Sequence, residues 1–524
     1  MASLEAGHVA GEKSGIDGNE NLTRNGQVID HDRDTFLPRP SDDPKDPLNW
    51  ALSLKVAVLL QVCLLAALGT INTAIINPAY SQLARDFDIT IVQASYQTTV
   101  VITLNGIGPF IWVPLANVYG RRPIYLFTTL LGFVSILGSA YARTYGQLIG
   151  ARVVNGLFPA AMALGPSTVV DCFFFHERGR AMGLFTVILT TGAHIAPILG
   201  GLVGQFLGWR WIFKFTAILD GVMFLVILVG LPETLYVRDA DDLTHTAPAD
   251  RRERETSSLG LKGYVARLKP YAGPFPGLRM HLSDFVWPAL RMAQYPSVLF
   301  PAAYYAAQYG FGSILPAVTV AAIFRERFGW DTLEIGLAYG GALTVGGVLG
   351  ESVAGVILDA IVKRARRRLG GVNPAPEARL QAIWTGAVLL PVGLLIYGFT
   401  IEYRTHWFVP LFGMGLSVFG LQPISTTCYT YSIDCYRERG GDVATFFNFL
   451  RQIFGMTFAF YVVLLCQRIG YQFAFLLFVV WGSVLGFIPI LMLMWKGREI
   501  RLWFERREEG RRADEGRPER DLFT

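Results

Sequence analysis

The chain has 524 residues, of which 52% are hydrophobic, 17% charged and 13% aromatic, and its mean hydropathy is +0.38. Soluble domains carry about 25% charged residues and about 7% glycine. Because this chain has fewer charges and as many as 55 glycines, the composition excludes an ordinary water-soluble enzyme and favours a polytopic membrane protein. The five cysteines form no CxxC pair and stand apart from the histidines, which argues against a disulfide framework, a metal site or redox chemistry.

Apolar stretches long enough to cross about 30 Å of hydrocarbon recur along most of the chain. Residues 1–53 are polar, lack the pattern of a signal peptide, and predict a disordered tail. A second polar segment, 233–293, falls in the middle of the chain, and a third, 496–524, ends it. The twelve predicted spans are 54–76, 92–113, 123–141, 146–171, 180–203, 211–231, 295–323, 334–360, 380–400, 407–433, 443–466 and 471–494.

The arrangement of six spans, a loop and six further spans predicts an all-α membrane protein with two pseudo-symmetric six-helix bundles, 54–232 and 294–495. Of the 46 Lys and Arg residues, 36 lie on the side of the N-terminus and seven in the loops on the other side. Basic residues near span ends stay on the cytoplasmic side. We therefore expect both termini, the two tails and the central loop in the cytoplasm. This distribution also accounts for the net charge of +5 without a nucleic-acid partner.

A short phrase recurs at the end of the fourth span of each half. It reads Asp171-Cys172-Phe173 in the first half and Asp434-Cys435-Tyr436 in the second, and Glu-Arg-Gly follows a few residues later in both. A duplicated six-helix unit with a substrate path between the halves would explain this repetition.

The loop after the second span contains a short basic turn. It reads Leu115-Ala116-Asn117-Val118-Tyr119-Gly120-Arg121-Arg122, which resembles the loop signature of the major facilitator superfamily. Asn117 and Val118 depart from the usual Asp and Arg of that signature, which puts the charge relay of the family in doubt on this side. The second half keeps more charge, with Asp359 ahead of Lys363 and Arg364.

The fifth span carries a more specific match. Gly183, Gly192, Pro197 and Gly200-Gly201 follow the spacing of the drug:proton antiporter branch of the superfamily. Small residues let helices approach closely and a proline bends a helix, so we expect Gly192, Pro197, Gly200 and Gly201 to form a hinge. Leu231-Pro232-Glu233-Thr234 and other stretches resemble the fungal twelve-span members of this group, and the resemblance covers about residues 46–495.

Three ionisable residues within the predicted spans are candidates for proton coupling. Arg152 resembles the span-four arginine that the family associates with proton coupling. Being always protonated, it can only bias a neighbouring group; neutralisation by Asp171 or by a backbone carbonyl is the alternative. His194 and Glu351 are candidate proton carriers, because charges in the membrane usually face a cavity or a partner. Structural hydrogen bonding is the alternative for both.

The resemblance implies that the first and fourth helices of each three-helix repeat line the substrate cavity. Aromatic walls with hydroxyl and amide groups suit an amphipathic organic molecule, and the scarcity of carboxylates favours a neutral or weakly acidic one. The predicted cavity residues are Asn72, Asn155, Tyr304, Tyr305, Gln308, Tyr309, Gln422, Thr426 and Asn448. Interfacial anchoring is the alternative for the tyrosines.

A network of charged and polar residues at the cytoplasmic ends of the spans predicts a gate. Arg451, which follows Asn448, is assigned to it because Asp434 and Asp442 are near in sequence, and contact with the substrate is the equal alternative for Arg451. The predicted gate residues are Asn117, Arg121, Arg122, Asp171, Arg178, Asp359, Asp434 and Arg451.

The function that these features predict is proton-driven export of a drug, toxin or secondary metabolite through the cell membrane by alternating access. The predicted partners are a small organic substrate, protons and the lipid bilayer, with the chain as a monomer and no cofactor. An uptake symporter or facilitator of a metabolite or carboxylate is the nearest alternative. A transporter-like receptor is an alternative of another class, and an enzyme is disfavoured because no activated nucleophile or metal cluster appears.

Overall fold

The structure, a computed structural model, describes residue 43 and residues 46–236, 267–269, 285–370, 375–436 and 439–515. It also describes two antiparallel strands of two residues each, Thr23–Arg24 and Gln27–Val28. The predicted disorder of the N-terminal tail, most of the central loop and the end of the C-terminal tail lie outside the described residues.

Twelve helices in the described part of the chain are long and apolar enough to cross a membrane. They coincide with the twelve predicted spans, and we number them in chain order. Spans 1 to 6 are Leu52–Phe87, Ile91–Tyr119, Arg121–Ala140, Tyr145–Cys172, Glu177–Leu207 and Trp209–Gly230. Spans 7 to 12 are Pro296–Phe328, Thr332–Arg368, Pro376–Glu402, Phe408–Cys435, Gly440–Ile469 and Tyr471–Phe504.

Several spans are built from more than one helical segment. Span 1 joins Leu52–Ala74 to Tyr80–Phe87 through the 3-10 turn Asn77–Ala79, and span 4 joins Tyr145–Leu157 to Ala161–Cys172. Pro78 and Pro159 lie at these breaks, since proline cannot donate the backbone hydrogen bond of a continuing helix.

Spans 7 and 12 each contain a π-helical segment, and these spans are otherwise α-helical or 3-10. Span 7 runs as Pro296–Tyr309, the π segment Gly310–Ile314 and Leu315–Phe328. The segments of span 12 are Tyr471–Phe478, the π segment Val479–Val484, the 3-10 turn Leu485–Phe487 and Ile488–Glu515. The last helix therefore continues past the predicted end of the membrane region at residue 495.

The remaining segments are single helices or short turns. Span 5 belongs to a 33-residue helix, Phe175–Leu207, and span 9 consists of the 3-10 segment Pro376–Ala382 and the helix Ile383–Glu402. Three short segments lie outside the spans: Pro47–Asn49, Trp287–Arg291 and Met292–Gln294.

Side chains cap the starts of two spans, and a glycine forms one of the tight connections. Thr90 and Gln93 form a capping box at the start of span 2, and Asp331 and Glu334 form another at the start of span 8. Gly208 has a φ of 86° between spans 5 and 6, a conformation that favours glycine. These short connections reverse the chain, so successive spans run in opposite directions.

The twelve spans form two six-helix bundles. Apolar side chains of spans 1 to 6 pack into the core of the first bundle, and those of spans 7 to 12 into the core of the second. The bundles meet along two seams, span 5 against span 8 and span 2 against span 11.

Hydrogen bonds join the two bundles at one end. We call the end at which span 1 begins and span 12 finishes the terminal end, and the opposite one the far end. At the far end, Gln82 Nε2 donates to Thr332 Oγ1 over 2.9 Å, and Arg325 Nη1 donates to Ser81 Oγ over 2.7 Å. Span 1 of the first bundle is therefore tied to spans 7 and 8 of the second at the far end. Nearer the terminal end, Phe110 of span 2 packs on Phe449 of span 11 with ring centroids 5.2 Å apart.

Candidate substrate and coupling site

Arg152 of span 4 is fully buried and makes hydrogen bonds to uncharged groups. Its Nε donates to Gln97 Oε1 over 2.6 Å, and its Nη1 donates to the backbone oxygen of Asn72 over 3.0 Å and to Asn155 Oδ1 over 3.1 Å. Its Nη2 has no hydrogen-bond partner among the described residues. A buried cation with neutral partners is costly to maintain, and the role of Arg152 in proton coupling remains a prediction.

The alternative role for Arg152 was neutralisation by Asp171 or by a backbone carbonyl, and only the second contact is found. A backbone carbonyl, that of Asn72, does accept from the guanidinium. Asp171, in contrast, pairs with Arg121, whose Nε lies 3.1 Å from Asp171 Oδ2. Asp171 lies at the terminal end of span 4, whereas Arg152 lies in its far half, so pairing within one helix is excluded by distance along the axis.

Two residues predicted to line the substrate cavity lie instead in a small chamber inside the first bundle. Asn72 and Asn155 line it together with Asp220 of span 6 and Thr128 and Thr129 of span 3. Its volume of about 40 Å³ is far below the 300–1,000 Å³ of typical ligand pockets. The chamber therefore has room for water but not for an organic substrate, and Asn72 and Asn155 are not placed as substrate contacts.

His194 lies where the two bundles meet. Its ring reaches Gly347 of span 8 so closely that a Cβ there would overlap with it. Among the described residues, no hydrogen bond to its ring is found. The alternative of a structural, hydrogen-bonded histidine is therefore not supported by any partner. The proton role of His194 remains a prediction.

Glu351 is half-buried in span 8, and no hydrogen bond or ion pair to its carboxylate is found among the described residues. It lies two turns past Thr344, toward the terminal end. A carboxylate within a span that has no protein partner needs solvent or a ligand nearby. Its role in coupling remains a prediction.

The four predicted cavity residues of span 7 divide between two faces of the helix. Tyr305 and Tyr309 face spans 10 and 11, where Tyr305 packs on Tyr429 with ring centroids 5.5 Å apart. Tyr304 and Gln308 face span 12, where Gln308 Nε2 donates to the backbone oxygen of Gly482 over 2.9 Å. Because residues four apart share a helix face, Tyr304 and Gln308 lie on a different face from Tyr305 and Tyr309, and their place in the substrate cavity remains a prediction.

Arg451 of span 11 is held by aromatic and amide groups. Its guanidinium lies 4.5 Å from the ring centroid of Tyr309, its Nη1 donates to the Tyr305 hydroxyl over 3.3 Å, and its Nη2 donates to Asn448 Oδ1 over 2.8 Å. Asn448 Nδ2 in turn donates over 3.0 Å to the backbone oxygen of Asn105 in the first bundle. This arrangement connects a half-buried cation to the seam between the bundles.

The placement of Arg451 favours the alternative of substrate contact over the gate. Asp434 pairs with Arg379, whose Nε lies 2.6 Å from Asp434 Oδ2, and not with Arg451. Arg451 stands nearly three turns inside span 11, and its partners are Tyr305, Tyr309 and Asn448. We therefore group it with the predicted cavity residues. We refer to Tyr305, Tyr309, Tyr429, Asn448 and Arg451 as the arginine–tyrosine cluster.

Two further predicted cavity residues lie in span 10. Gln422 is buried against span 8, where its Cγ is 3.0 Å from the Cβ position of Gly350. Thr426, one turn further along, is half-buried. Gln422 thus packs between spans of the second bundle, and Thr426 is the more accessible of the two.

The predicted gate residues form two separate groups at the terminal end. In the first bundle, Arg121 Nη1 donates to Asn117 Oδ1 over 2.7 Å while its Nε pairs with Asp171. Asn117 thus accepts from the arginine despite replacing the carboxylate of the family pattern. Arg178 donates to the backbone oxygens of Val170 and Phe173 at the end of span 4.

The second bundle repeats part of this arrangement. Arg379 at the start of span 9 pairs with Asp434 at the end of span 10, as Arg121 at the start of span 3 pairs with Asp171 at the end of span 4. The recurring phrase in the sequence therefore corresponds to a recurring ion pair. Asp359, at the end of span 8, is exposed.

Glu233 caps the start of span 3, and Arg122 caps the end of span 6, at the terminal end of the first bundle. The Glu233 carboxylate accepts from the backbone nitrogens of Arg121 and Arg122, at the start of span 3, over 2.9 and 3.1 Å. The Arg122 guanidinium donates to the carbonyls of Ile227, Leu228 and Leu231 at the end of span 6. Arg122 is therefore a helix-capping residue rather than an open gate charge.

Glu233 is a site residue that sequence reasoning did not assign, although its Pro-Glu-Thr context was noticed. Burial raises the pKa of its carboxyl group, while the backbone donors of Leu235, Arg121 and Arg122 act in the opposite direction. Gly120 is required beside it, because it has a φ of 101° and a Cβ there would overlap with the carboxylate. An acid one turn after a span, opposite a Gly-Arg-Arg turn, is the signal that could have indicated the pair.

The predicted hinge residues of span 5 are sites of close helix packing. A Cβ on Gly192 would lie 2.8 Å from the Ala67 backbone oxygen of span 1, and one on Gly200 would overlap with the Ile75 carbonyl. A Cβ on Gly201 would lie 2.9 Å from Gly336 Cα of span 8. Gly192 and Gly200 therefore fit span 5 against its own bundle, and Gly201 fits it against the other. Pro197 lies within a helix that continues to Leu207.

No group of His, Cys, Asp or Glu in the described ranges could hold a metal ion. The site consists of a buried and a half-buried arginine with neutral partners, polar seams between two six-helix bundles and paired charges at one end. These features define a multi-pass membrane transporter with two pseudo-symmetric halves.

Comparison with known proteins gives the family. The model of the Major Facilitator Superfamily matches residues 62–460, so the chain belongs to this superfamily, whose members are transporters rather than enzymes. The chain is 28% identical over 455 residues to the efflux pump radE of Floropilus chiversii, with 86% of this chain and 80% of the relative covered. It is also 28% identical to the cycloheximide resistance protein of Candida maltosa, with 86% and 81% covered.

Other relatives agree with this assignment. The efflux pump FUB11 of Gibberella moniliformis is 28% identical, with 95% of this chain and 81% of the relative covered. The predicted resemblance to the fungal drug-efflux group is therefore confirmed. In fold, the chain is similar to the E. coli xylose transporter XylE in a partially occluded inward-open conformation, with a TM-score of 0.55, 15% identity and coverage of 84% and 99%.

Proposed function

We propose that this membrane transporter exports a small organic compound in exchange for protons by alternating access. The observation that carries the proposal is the contact between the two bundles at the far end. They are joined there by hydrogen bonds and by the close approach of glycines in spans 5 and 8. Two rigid bodies joined at one end are the arrangement that rocking between two open states requires.

The direction of opening follows from the distribution of charge. Lys and Arg residues concentrate in the tails and loops of the terminal end, and basic residues of this kind favour the cytoplasmic side. We therefore propose that the terminal end faces the cytoplasm, where an exporter loads its cargo. The predicted cell-membrane location rests on the same reasoning and on the efflux pumps among the relatives.

The arginine–tyrosine cluster is our candidate for the substrate site. Tyr305, Tyr309 and Tyr429 offer aromatic faces, and Arg451 and Asn448 offer donors at the seam between the bundles. This combination suits an amphipathic compound that carries an acceptor oxygen or a weak acid. The efflux pumps among the relatives support cargo of this kind, and the printed name of one of them suggests cycloheximide as a probe.

Transport in proteoliposomes tests the proposal. The full chain is first expressed in a drug-sensitive host with a panel that includes cycloheximide, and the purified protein is then reconstituted with a compound to which it gives tolerance. A gradient of one pH unit, which is worth about 1.4 kcal/mol, should drive about tenfold accumulation that an ionophore abolishes. Accumulation that ignores the gradient would contradict antiport and favour a facilitator, and the absence of tolerance or transport across the panel would favour a receptor.

A further inference from the structure

Asp220 is a carboxylate buried at the centre of span 6. It is 4% exposed and stands about 16 Å from either end of its helix at 1.5 Å per residue. Asn72 Nδ2 of span 1 donates to Asp220 Oδ2 over 2.9 Å. Ionisable residues at this depth are expensive and usually functional, and the function proposed so far gives Asp220 no role.

The amide of Asn72 has a second polar atom that can take part in proton binding. Asn72 Oδ1 is buried and has no hydrogen-bond partner in the described chain. An ionised Asp220 can only accept, so it makes one hydrogen bond with this amide. A protonated Asp220 can also donate its O–H to Asn72 Oδ1, which gives an acid–amide pair with two hydrogen bonds. The present arrangement therefore contains a free acceptor, Asn72 Oδ1, to which a protonated Asp220 can donate.

The chamber beside Asp220 gives a proton a place to arrive. It is lined by the polar side chains of Asn72, Asn155, Thr128 and Thr129 as well as Asp220, and its volume is about 40 Å³. One water molecule needs about 10–15 Å³ measured in this way, so the chamber is large enough for two or three. Water there would have several hydrogen-bonding partners, as buried water requires.

The charged group connected to Asp220 is Arg152. Asn72 accepts from Arg152 Nη1 through its backbone oxygen, over 3.0 Å, and donates to Asp220 through its side chain. The chamber residues from spans 1, 3 and 4 are uncharged. Lys214, on the same helix as Asp220, lies over the rings of Tyr141 and Trp211, and His194 of span 5 lies against Gly347 of span 8.

We propose that Asp220 is a proton-binding site of the first bundle and that Asn72 couples it to Arg152. Binding of a proton lets the Asp220 carboxyl group donate to Asn72 Oδ1, which changes the hydrogen bonding of the residue whose backbone oxygen accepts from the buried Arg152 guanidinium. The cation then favours a conformation that provides another partner or water. This inference rests on the proposed proton-coupled transport, since it names the group that would carry the proton.

Infrared difference spectroscopy tests proton binding without any substrate. A protonated carboxyl group has a carbonyl stretching band that is separate from the amide bands. The purified full chain should show such a band that titrates with pH, and Asp220→Asn should remove it. Glu351→Gln is the matched control, because it removes a different carboxyl group within a span and should leave the Asp220 band in place. A spectrum that Asp220→Asn does not change would overturn the proposal.

Transport of the compound to which the protein gives tolerance in the panel tests the coupling. With a gradient of one pH unit, accumulation should fall from about tenfold in the wild type to no accumulation in Asp220→Asn, while exchange without a gradient persists. Asp220→Glu, which restores a carboxyl group, should recover part of the accumulation and a titrating band, so a folding defect of the first variant can be recognised. Full accumulation by Asp220→Asn would overturn the proposal even though antiport itself stands.

The two proposals fail in different ways. If the wild type accumulates no probe under a pH gradient, the proposed antiport fails, and the infrared band of Asp220 alone decides whether the carboxyl group binds a proton. A band that titrates and disappears in Asp220→Asn then supports the site, and its absence from the wild type overturns it.

Discussion

Arg122 shows how a single residue stabilises the junction of two helices. Its guanidinium donates to carbonyls at the end of span 6 and to the backbone oxygen of Leu268 in the central loop. We expect Arg122→Lys to lower the free energy of unfolding by about 1–3 kcal/mol, because an ammonium keeps the charge but lacks the planar fork and leaves buried carbonyls unpaired. Thermal or denaturant unfolding of the purified protein measures the loss.

Arg178→Lys is the matched control for this substitution. Arg178 also donates to two carbonyls at the end of a span, those of Val170 and Phe173. It is less buried than Arg122, so water can replace the lost hydrogen bonds and the loss should be smaller. Equal losses in the two variants would show that the burial of Arg122 has no energetic consequence.

The neighbouring tyrosines of span 7 provide a second test at the residue scale. Tyr305 accepts a hydrogen bond from Arg451, whereas Tyr304 packs on Phe487 of span 12 with ring centroids 5.4 Å apart. We expect Tyr305→Phe to raise the KM of transport about three- to tenfold, the effect of one lost hydrogen bond. Tyr304→Phe should leave KM within about twofold, because its hydroxyl lies on the other face of the helix. Concentration-dependent uptake into vesicles measures both, and the opposite order would place the substrate on the face of span 12.

Helix periodicity explains why the sequence could not separate these tyrosines. The four polar residues predicted to line the cavity from span 7 are equivalent candidates when the helix is buried and apolar side chains surround it on every side. Which face meets span 12 and which meets span 11 depends on the rotation of the helix in the bundle. That rotation is set by packing partners far away in sequence, such as Gly482 and Phe447.

At the scale of helical elements, the contact between spans 5 and 8 depends on glycines. Gly336 lies so close to the backbone of Pro197 and Gly201 that a side chain there has no room. We expect Gly336→Val to separate the spans at the far end and to disfavour the conformation described here. Transport should fall at least about tenfold, the effect of a conformational bias of about 1.4 kcal/mol. A membrane-impermeant reagent should label a cysteine introduced at the far end faster in Gly336→Val than in the unsubstituted protein.

Gly341→Val on the same helix is the control. A Cβ at Gly341 would meet no atom within 4 Å, so the larger side chain should be accommodated with little change in labelling or transport. If both substitutions have the same effect, the cause is a general property of valine in span 8 rather than the approach of the two spans.

At the scale of the whole molecule, the fold was predictable and the site was predictable only in part. Span positions follow from hydropathy and length because the hydrocarbon core imposes both. The repeated phrase around Asp171 and Asp434 was visible in the sequence. The pairing of these acids with Arg121 and Arg379 was not predicted from it. Partners of buried polar groups come from other helices, and one sequence carries no record of which helices meet.

The closure at the far end gives the most direct test of alternating access. Gln82 Nε2 donates both to Thr332 Oγ1 of the second bundle and to the Gly204 backbone oxygen of the first, each over 2.9 Å. A disulfide in Gln82→Cys/Thr332→Cys, with the half-buried Cys435 replaced by Ser, should hold the far end closed. Transport should fall at least about tenfold and return on reduction, because the bundles can no longer separate there.

The control pair shares one of the two positions and links a single bundle. In Gln82→Cys/Gly204→Cys, the disulfide joins span 1 to span 5 and leaves the two bundles free to move apart. Oxidised and reduced forms of this variant should transport at similar rates in the same vesicle assay. If the cross-bundle disulfide forms, as a mobility shift on gels would show, and transport continues unchanged, the far end does not open during the cycle and rocking of the two bundles is the wrong mechanism.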